Sequence, residues 1–190
     1  MPELWLVRHG QTEWSESGRH TGTTDVPLTP TGRRQAAALC RVLDRQPFAC
    51  VLTSPLARAR ETARLAGFGD AQVDDDLREW RYGDYEGLTS AQIHEHAPGW
   101  TIWNGTPPGG ESAAAVGERA RRVLARLDAV DGRALVFAHG HFLRALTATV
   151  LGLPVAEGAR FMLAPATVNV VGHEHDYRTL LRWNEVPPAL

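Results

Sequence analysis

Apolar positions along this chain alternate between two textures. Short, nearly continuous apolar runs at residues 3–7, 49–52, 134–138 and 168–171 predict strands buried on both faces, and 71–73 is a weaker fifth run. Between them lie stretches of helical period. Thr29-Pro30 supplies a cap and a first-turn proline for a helix with Ala36, Leu39, Cys40 and Leu43 on one face. Ser54-Pro55 repeats that start, and Gly67 ends the helix after about Ala66. Residues 111–130 predict a long amphipathic helix with Val116, Ala120, Val123, Leu127 and Val130 inward, residues 142–151 another, and 89–96 a short one. Residues 168–171 and 177–183 predict a late antiparallel pair. Strand–helix alternation with short links predicts an α/β fold, a three-layer α/β/α sandwich around a mostly parallel sheet.

Two segments break the pattern. Residues 11–27 are rich in Gly, Thr, Ser and His and predict a long loop. Residues 77–87 are aromatic, charged and glycine-bearing and predict a loop that positions side chains; with the Trp100, Trp103 and Pro107-Pro108-Gly109-Gly110 stretch they predict a cover over residues 77–110 within a single domain spanning 1–190. The 190 residues suit one core, and a formal net charge of −2 offers no overall basic field for nucleic acid. The apolar run at the start is too short for a signal peptide or a membrane span, so a cytoplasmic protein without nucleic-acid or membrane partners is expected. Cys40 and Cys50 are expected as reduced core thiols.

The candidate chemistry sits at strand ends. Arg8-His9-Gly10 follows the first apolar run and His139-Gly140-His141 follows the run at 134–138. Parallel sheets place ligands outside the carboxyl ends of their strands. A neutral imidazole is a good phosphoryl acceptor, which makes His9 the candidate nucleophile, with Arg8 beside it and Gly10 opening the backbone to an anion. His139 would donate a hydrogen bond to a phosphoryl oxygen. Arg58, at the start of the second helix, suits a bidentate phosphate clamp, though Arg60 and Arg64 compete on spacing. Glu79, flanked by Leu77 and Trp80, is the candidate proton donor for the leaving oxygen, with Glu13, Glu86 and Asp84 as rivals. No metal is expected: neither His139/His141 nor His173/His175 has a carboxylate or thiol at ligand spacing, and the arginines would repel a cation.

Arg8-His9-Gly10-Gln11-Thr12-Glu13-Trp14, Thr53-Ser54-Pro55-Leu56-Ala57-Arg58-Ala59, the turn from Glu79 to Gly87, and Ala138-His139-Gly140 together resemble the histidine phosphatase superfamily in its phosphoglycerate mutase-like branch. The resemblance spans nearly the whole chain. It implies a phosphorylated His9, a phosphate pocket completed by Arg8, Arg58 and His139, and Glu79 as the acid that later activates water. It also implies Gln11, Gly22 and Thr23 near the substrate and Gly140 on the amide side of the phosphate. Gly18-Arg19-His20-Thr21-Gly22 and His139-Gly140-His141-Phe142 look closer to small bacterial broad-specificity or sugar-phosphate phosphatases. Residues 88–110 carry no Arg or Lys, unlike the glycolytic mutase, leaving Arg81 and Arg119 as substitutes for gripping a carboxylated substrate.

The expected activity is a metal-independent, cofactor-free phosphomonoesterase that uses a phosphohistidine on small phosphate esters, sugar or glycerate phosphates among them. The alternatives are a cofactor-dependent phosphoglycerate mutase, a protein phosphohistidine phosphatase, and a phosphate-binding module without turnover. Monomer and homodimer are both compatible with this reading. Trp100, Trp103 and Phe161 are either a rim for the leaving group or packing, with packing the simpler reading.

Overall fold

The computed structural model describes residues 2–188. Six strands, β1 (Leu4–Arg8), β2 (Phe48–Thr53), β3 (Gln72–Val73), β4 (Arg133–Ala138), β5 (Val168–Glu174) and β6 (Tyr177–Glu185), form one sheet in the order β3-β2-β4-β1-β5-β6. The first four are parallel; β5 runs antiparallel to β1, and β6 to β5. Seven α-helices flank the sheet: α1 (Glu13–Glu16), α2 (Pro30–Ala38), α3 (Cys40–Leu43), α4 (Ala57–Leu65), α5 (Ser90–His94), α6 (Ala113–Asp128) and α7 (Gly140–Val150).

The strands are apolar on both faces because both faces are covered. In β1, Leu4 and Leu6 pack with Val116, Leu127, Phe142 and Leu146 of α6 and α7. Trp5 and Val7, pointing the other way, pack with Leu39, Leu43, Ala63 and Ala66 from the α2–α4 side. In β4 the same alternation sends Ala134, Val136 and Ala138 to the first cluster and Leu135 and Phe137 to the second. The result is three layers, helix on sheet on helix.

Several predicted elements shift. The helix from Thr29 breaks at Leu39 into α2 and α3. The helix predicted from Ser54-Pro55 starts at Ala57 instead, because Ser54 turns its hydroxyl into the site described below. In α6, Val116, Ala120, Val123 and Leu127 are buried as expected, whereas Val130 lies past the helix end and is half-buried. Helix α1 falls inside the segment read as loop, closed by a Thr12–Ser15 capping box. Cys40 and Cys50 are free thiols, half-buried rather than fully in the core.

Candidate active site

The site follows from strand register. Arg8 pairs with Ala138 across β1 and β4, and the His9 amide donates to the Ala138 carbonyl at 3.0 Å. His9 and His139 therefore leave adjacent strands side by side, with ring centres 5.2 Å apart. On the other flank of β4, Thr53 of β2 pairs with Phe137, and the Ser54 amide donates to the Phe137 carbonyl at 2.9 Å. Three neighbouring strands thus deliver His9, His139 and Ser54 to one level of the sheet.

Hydrogen bonds settle both ring states. His9 Nδ1 lies 2.8 Å from the Gly10 carbonyl, which can only accept, so Nδ1 carries the proton and Nε2 keeps its lone pair in the neutral ring. His139 Nδ1 accepts from Arg58 Nε at 3.2 Å, which leaves Nε2 as the donor toward Ser54 Oγ at 2.7 Å. Burial first, then Arg58 and Arg8, holds His9 well below the usual imidazole range. Burial and Arg58 do the same to His139. Both rings are neutral near pH 7.

Arg58 is fully buried, whereas Arg60 and Arg64 are exposed. Spacing alone left the three open; the structure shows Ala59, Thr62 and Ala63 facing the core, and Arg58, four before Thr62, shares that stripe. Its guanidinium is less free than a bidentate clamp requires. Nε serves His139, Nη1 donates to the Thr24 carbonyl at 2.9 Å, and Nη2 donates to the Thr21 and Gly22 carbonyls at 3.1 and 3.0 Å. Arg8 donates Nη1 to the Leu163 carbonyl at 2.6 Å, and its buried Nε has no partner among the described residues. A buried, unpaired guanidinium nitrogen beside His9 suits an anion.

Gly140 serves Arg8. A Cβ there would stand 3.2 Å from both Cζ and Nε of that guanidinium. Gly10 plays a different part from the one expected. Its amide donates to Thr62 Oγ1 at 3.0 Å, and a Cβ would strike the Gly32 carbonyl at 2.4 Å, so it packs the β1 loop onto α2.

Glu79 is buried and spans the N-terminus of α7. Oε1 accepts from the Trp80 and Phe142 amides, each at 2.8 Å, and Oε2 accepts from the His141 amide at 3.0 Å. Its rivals stand elsewhere: Glu13 and Asp84 are exposed, and Glu86 Oε1 accepts from the Gly22 and Thr24 amides at 2.8 and 3.0 Å. Gln11 does not reach the cleft, since its Oε1 accepts from Thr29 Oγ1 at 2.8 Å. Gly22 is buried under Glu86 and exposed Thr23 lies beside it.

A cleft of about 340 Å³ opens from Arg8, His9 and Glu79. His20, Tyr82, Trp100, Trp103 and His141 form much of its wall, so the two tryptophans do face it, whereas Phe161 packs on Trp183. Basic residues reach the cleft from outside 88–110, as Arg19 and Arg144. Arg119 is instead bound to Glu111 and to the Asp76 and Arg78 carbonyls. Sequence reasoning passed over Ser54 and Thr62; a hydroxyl residue at a strand end and one on the inward stripe of α4 were the available signals. Among the described residues, no three His, Cys, Asp or Glu side chains group as a metal site, and no helix is long and apolar enough to cross a membrane.

The description "Histidine phosphatase superfamily (branch 1)" matches residues 4–186. An acid phosphatase of Mycobacterium tuberculosis is 44% identical over 181 residues, covering 93% of this chain and 89% of that protein. A sedoheptulose 1,7-bisphosphatase of Saccharomyces cerevisiae is 40% identical over 187 residues, covering 81% and 69%. The solved structure of an open reading frame from Mycobacterium tuberculosis superposes with a TM-score of 0.94 at 42% identity, over 98% of this chain and 99% of that one.

Proposed function

The chain belongs to the histidine phosphatase superfamily, branch 1, and is a phosphatase; from that premise we propose that it hydrolyses small phosphate monoesters through a phosphohistidine at His9. The observation that carries this reading is the state of His9. It is neutral, its Nδ1 proton is held by the Gly10 carbonyl, and its Nε2 lone pair is free beside Arg8 and His139.

In the first step Nε2 of His9 attacks phosphorus and the bond from phosphorus to the ester oxygen breaks. Glu79, entering as the acid, gives its proton to the departing oxygen. Arg8, on the cleft wall beside His9, brings positive charge to the transferring group, and Arg58 adds to it while it orients His139. In the second step the Glu79 carboxylate takes a proton from water. The resulting hydroxide attacks phosphorus, the bond to His9 Nε2 breaks, and phosphate leaves. Gly140 keeps room for Arg8, Gly22 offers its carbonyl to Arg58 with Thr23 beside it, and Gln11 acts only through the loop it braces. The cationic surroundings oppose a metal ion at this centre. Similarity to a sugar bisphosphatase and an acid phosphatase supports small metabolites as substrates.

Phosphate release and 3-phosphoglycerate isomerisation, measured together in EDTA for the native protein and His9→Ala, test the reading. We expect hydrolysis of small esters in EDTA, an acid-labile phosphoenzyme, and loss of at least about 10³-fold in the variant. Undiminished hydrolysis by His9→Ala would overturn the nucleophile. Fast, primer-dependent isomerisation with little phosphate release would identify a mutase.

A further inference from the structure

The hydrolytic steps leave a second pair of histidines in the same cleft without a task. His20 and His141 stack with ring centres 6.1 Å apart and planes within 19°. Both line the cleft, and Nε2 of each has no protein partner among the described residues.

Their other nitrogens are fixed. His20 Nδ1 lies 2.9 Å from the Leu88 carbonyl and must donate to it, which leaves Nε2 as the only ring nitrogen that can accept. His141 Nδ1 lies 2.5 Å from the Tyr82 hydroxyl. Tyr82 is buried and its phenol is pushed well above the usual range, first by burial and then by Glu79, so it keeps its proton; among the described residues His141 Nδ1 is the one partner of that hydroxyl, which makes Nδ1 the acceptor. Burial and Arg144 hold His141 well below the usual imidazole range, so the ring is neutral and its remaining N–H is at Nε2. The wall therefore presents an acceptor and a donor side by side. Aromatic rings border both: Trp100 is 5.8 Å from His20 and Trp103 is 5.3 Å from His141.

Adjacent hydroxyls are the groups that complement such a pair, since each both donates and accepts. The cations on the same wall are partly committed elsewhere. Arg144 spends Nε and Nη2 on the Gly158 and Ala159 carbonyls and lies over Trp103, and Arg19 donates to the Gly87 carbonyl. We infer that His20 and His141, with Tyr82 fixing the hydrogen on His141, form a hydroxyl-reading subsite that selects phosphate esters of polyols, such as sugar phosphates, over esters whose leaving group lacks hydroxyls. The inference rests on the phosphatase reading above. His141 also donates its backbone amide to Glu79, so the leaving group is read one hydrogen bond away from the proton donor.

The test compares kcat/KM for glucose 6-phosphate, butyl phosphate and 3-phosphoglycerate in the native protein, His20→Phe, His141→Phe and Tyr82→Phe. Glucose 6-phosphate and butyl phosphate both release a primary alcohol, so their ratio isolates hydroxyl recognition from leaving-group chemistry. We expect the native protein to prefer glucose 6-phosphate at least tenfold. Each histidine variant should cut that ratio about five- to tenfold, mostly through KM, as loss of one neutral hydrogen bond does. Tyr82→Phe should cut it less, because His141 can then move its hydrogen to Nδ1. Butyl phosphate turnover in the same preparation reports on the His9 centre; should a phenylalanine variant fail to fold, His20→Ala and His141→Ala replace it. An unchanged ratio in the histidine variants would overturn the inference. So would a native preference for 3-phosphoglycerate that those variants leave untouched, since charge would then be what the cleft reads. Release of phosphate from none of the three esters would overturn the phosphatase reading itself.

Discussion

His9 shows how much of a nucleophile's character comes from its neighbours. Its pKa is lowered by burial first, then by Arg58 and Arg8, while its bond to the Gly10 carbonyl acts in the opposite direction. The attacking form is the neutral ring, so the acid limb of kcat/KM should lie below the ordinary imidazole range and the enzyme should stay active well into acid. The sign for a charge deletion follows. In Arg58→Met a cation that opposes protonation is gone, the pKa of His9 rises toward 6.5, and the acid limb moves to higher pH. A pH profile of kcat/KM for the native protein and the variant checks this. A limb that stays in place while the rate drops would mean that a group other than His9 controls it. Legibility at this scale was uneven. The strand ends bearing His9 and His139 could be read from apolar runs that stop at a His-Gly. Which arginine turns inward needed the helical stripe of α4. That Arg58 spends most of its donors on backbone carbonyls could not be read at all, because those carbonyls belong to residues 21–24, more than thirty positions away.

Those carbonyls make the segment ahead of α2 the element on which the site depends. Oε1 of Glu86 ties down the Gly22 and Thr24 amides, and the same stretch holds Arg58, which in turn orients His139. Glu86→Ala should cost about 2–3 kcal/mol of stability through lost charge-assisted bonds and lower kcat/KM about tenfold or more. Glu86→Gln keeps an oxygen for both amides. Its amide nitrogen replaces Oε2, which has no partner among the described residues, so it should recover most of both losses. Gly22→Ala attacks the same contact from the other side. A Cβ would meet Glu86 Oε2 at 2.6 Å and the Trp80 carbonyl at 2.7 Å, a clash worth about 1–3 kcal/mol. Urea unfolding and steady-state kinetics on the three variants check the set. Equal behaviour of the Ala and Gln variants at position 86 would show that the acceptor is not what matters. Long periodic elements such as α6 and β4 were predictable to within two or three residues, because burial and period act locally. Helix α1 was missed because four residues show no period, and the start of α4 was misplaced because Ser54 is claimed by His139 from another strand.

Across the whole molecule, one centre concentrates groups that resist protonation. His9, His139 and His141 are all held well below 6.5, in each case by burial first and then by nearby arginines. In the unfolded chain all three titrate near the ordinary value of about 6.5. Below that pH the unfolded state takes up protons that the native state does not, so native stability must fall as pH drops. Each histidine contributes up to about 1.4 kcal/mol per pH unit until its own native pKa is reached, and three together contribute up to about 4 kcal/mol per unit. From about one pH unit above the ordinary value the three are neutral in both states and their contribution is flat. Urea unfolding at pH 7.5, 6.5 and 5.5 should therefore show a loss of about 1 kcal/mol over the upper interval and about 3 kcal/mol over the lower one. His141→Phe removes one of the three sites, so its stability should fall less steeply there, by up to about 1.4 kcal/mol per pH unit, whatever its stability at pH 7.5. Matching slopes for the native protein and His141→Phe would mean that His141 gains its proton in the folded state, and the donor assigned to its Nε2 would then be a charged imidazolium rather than a neutral ring.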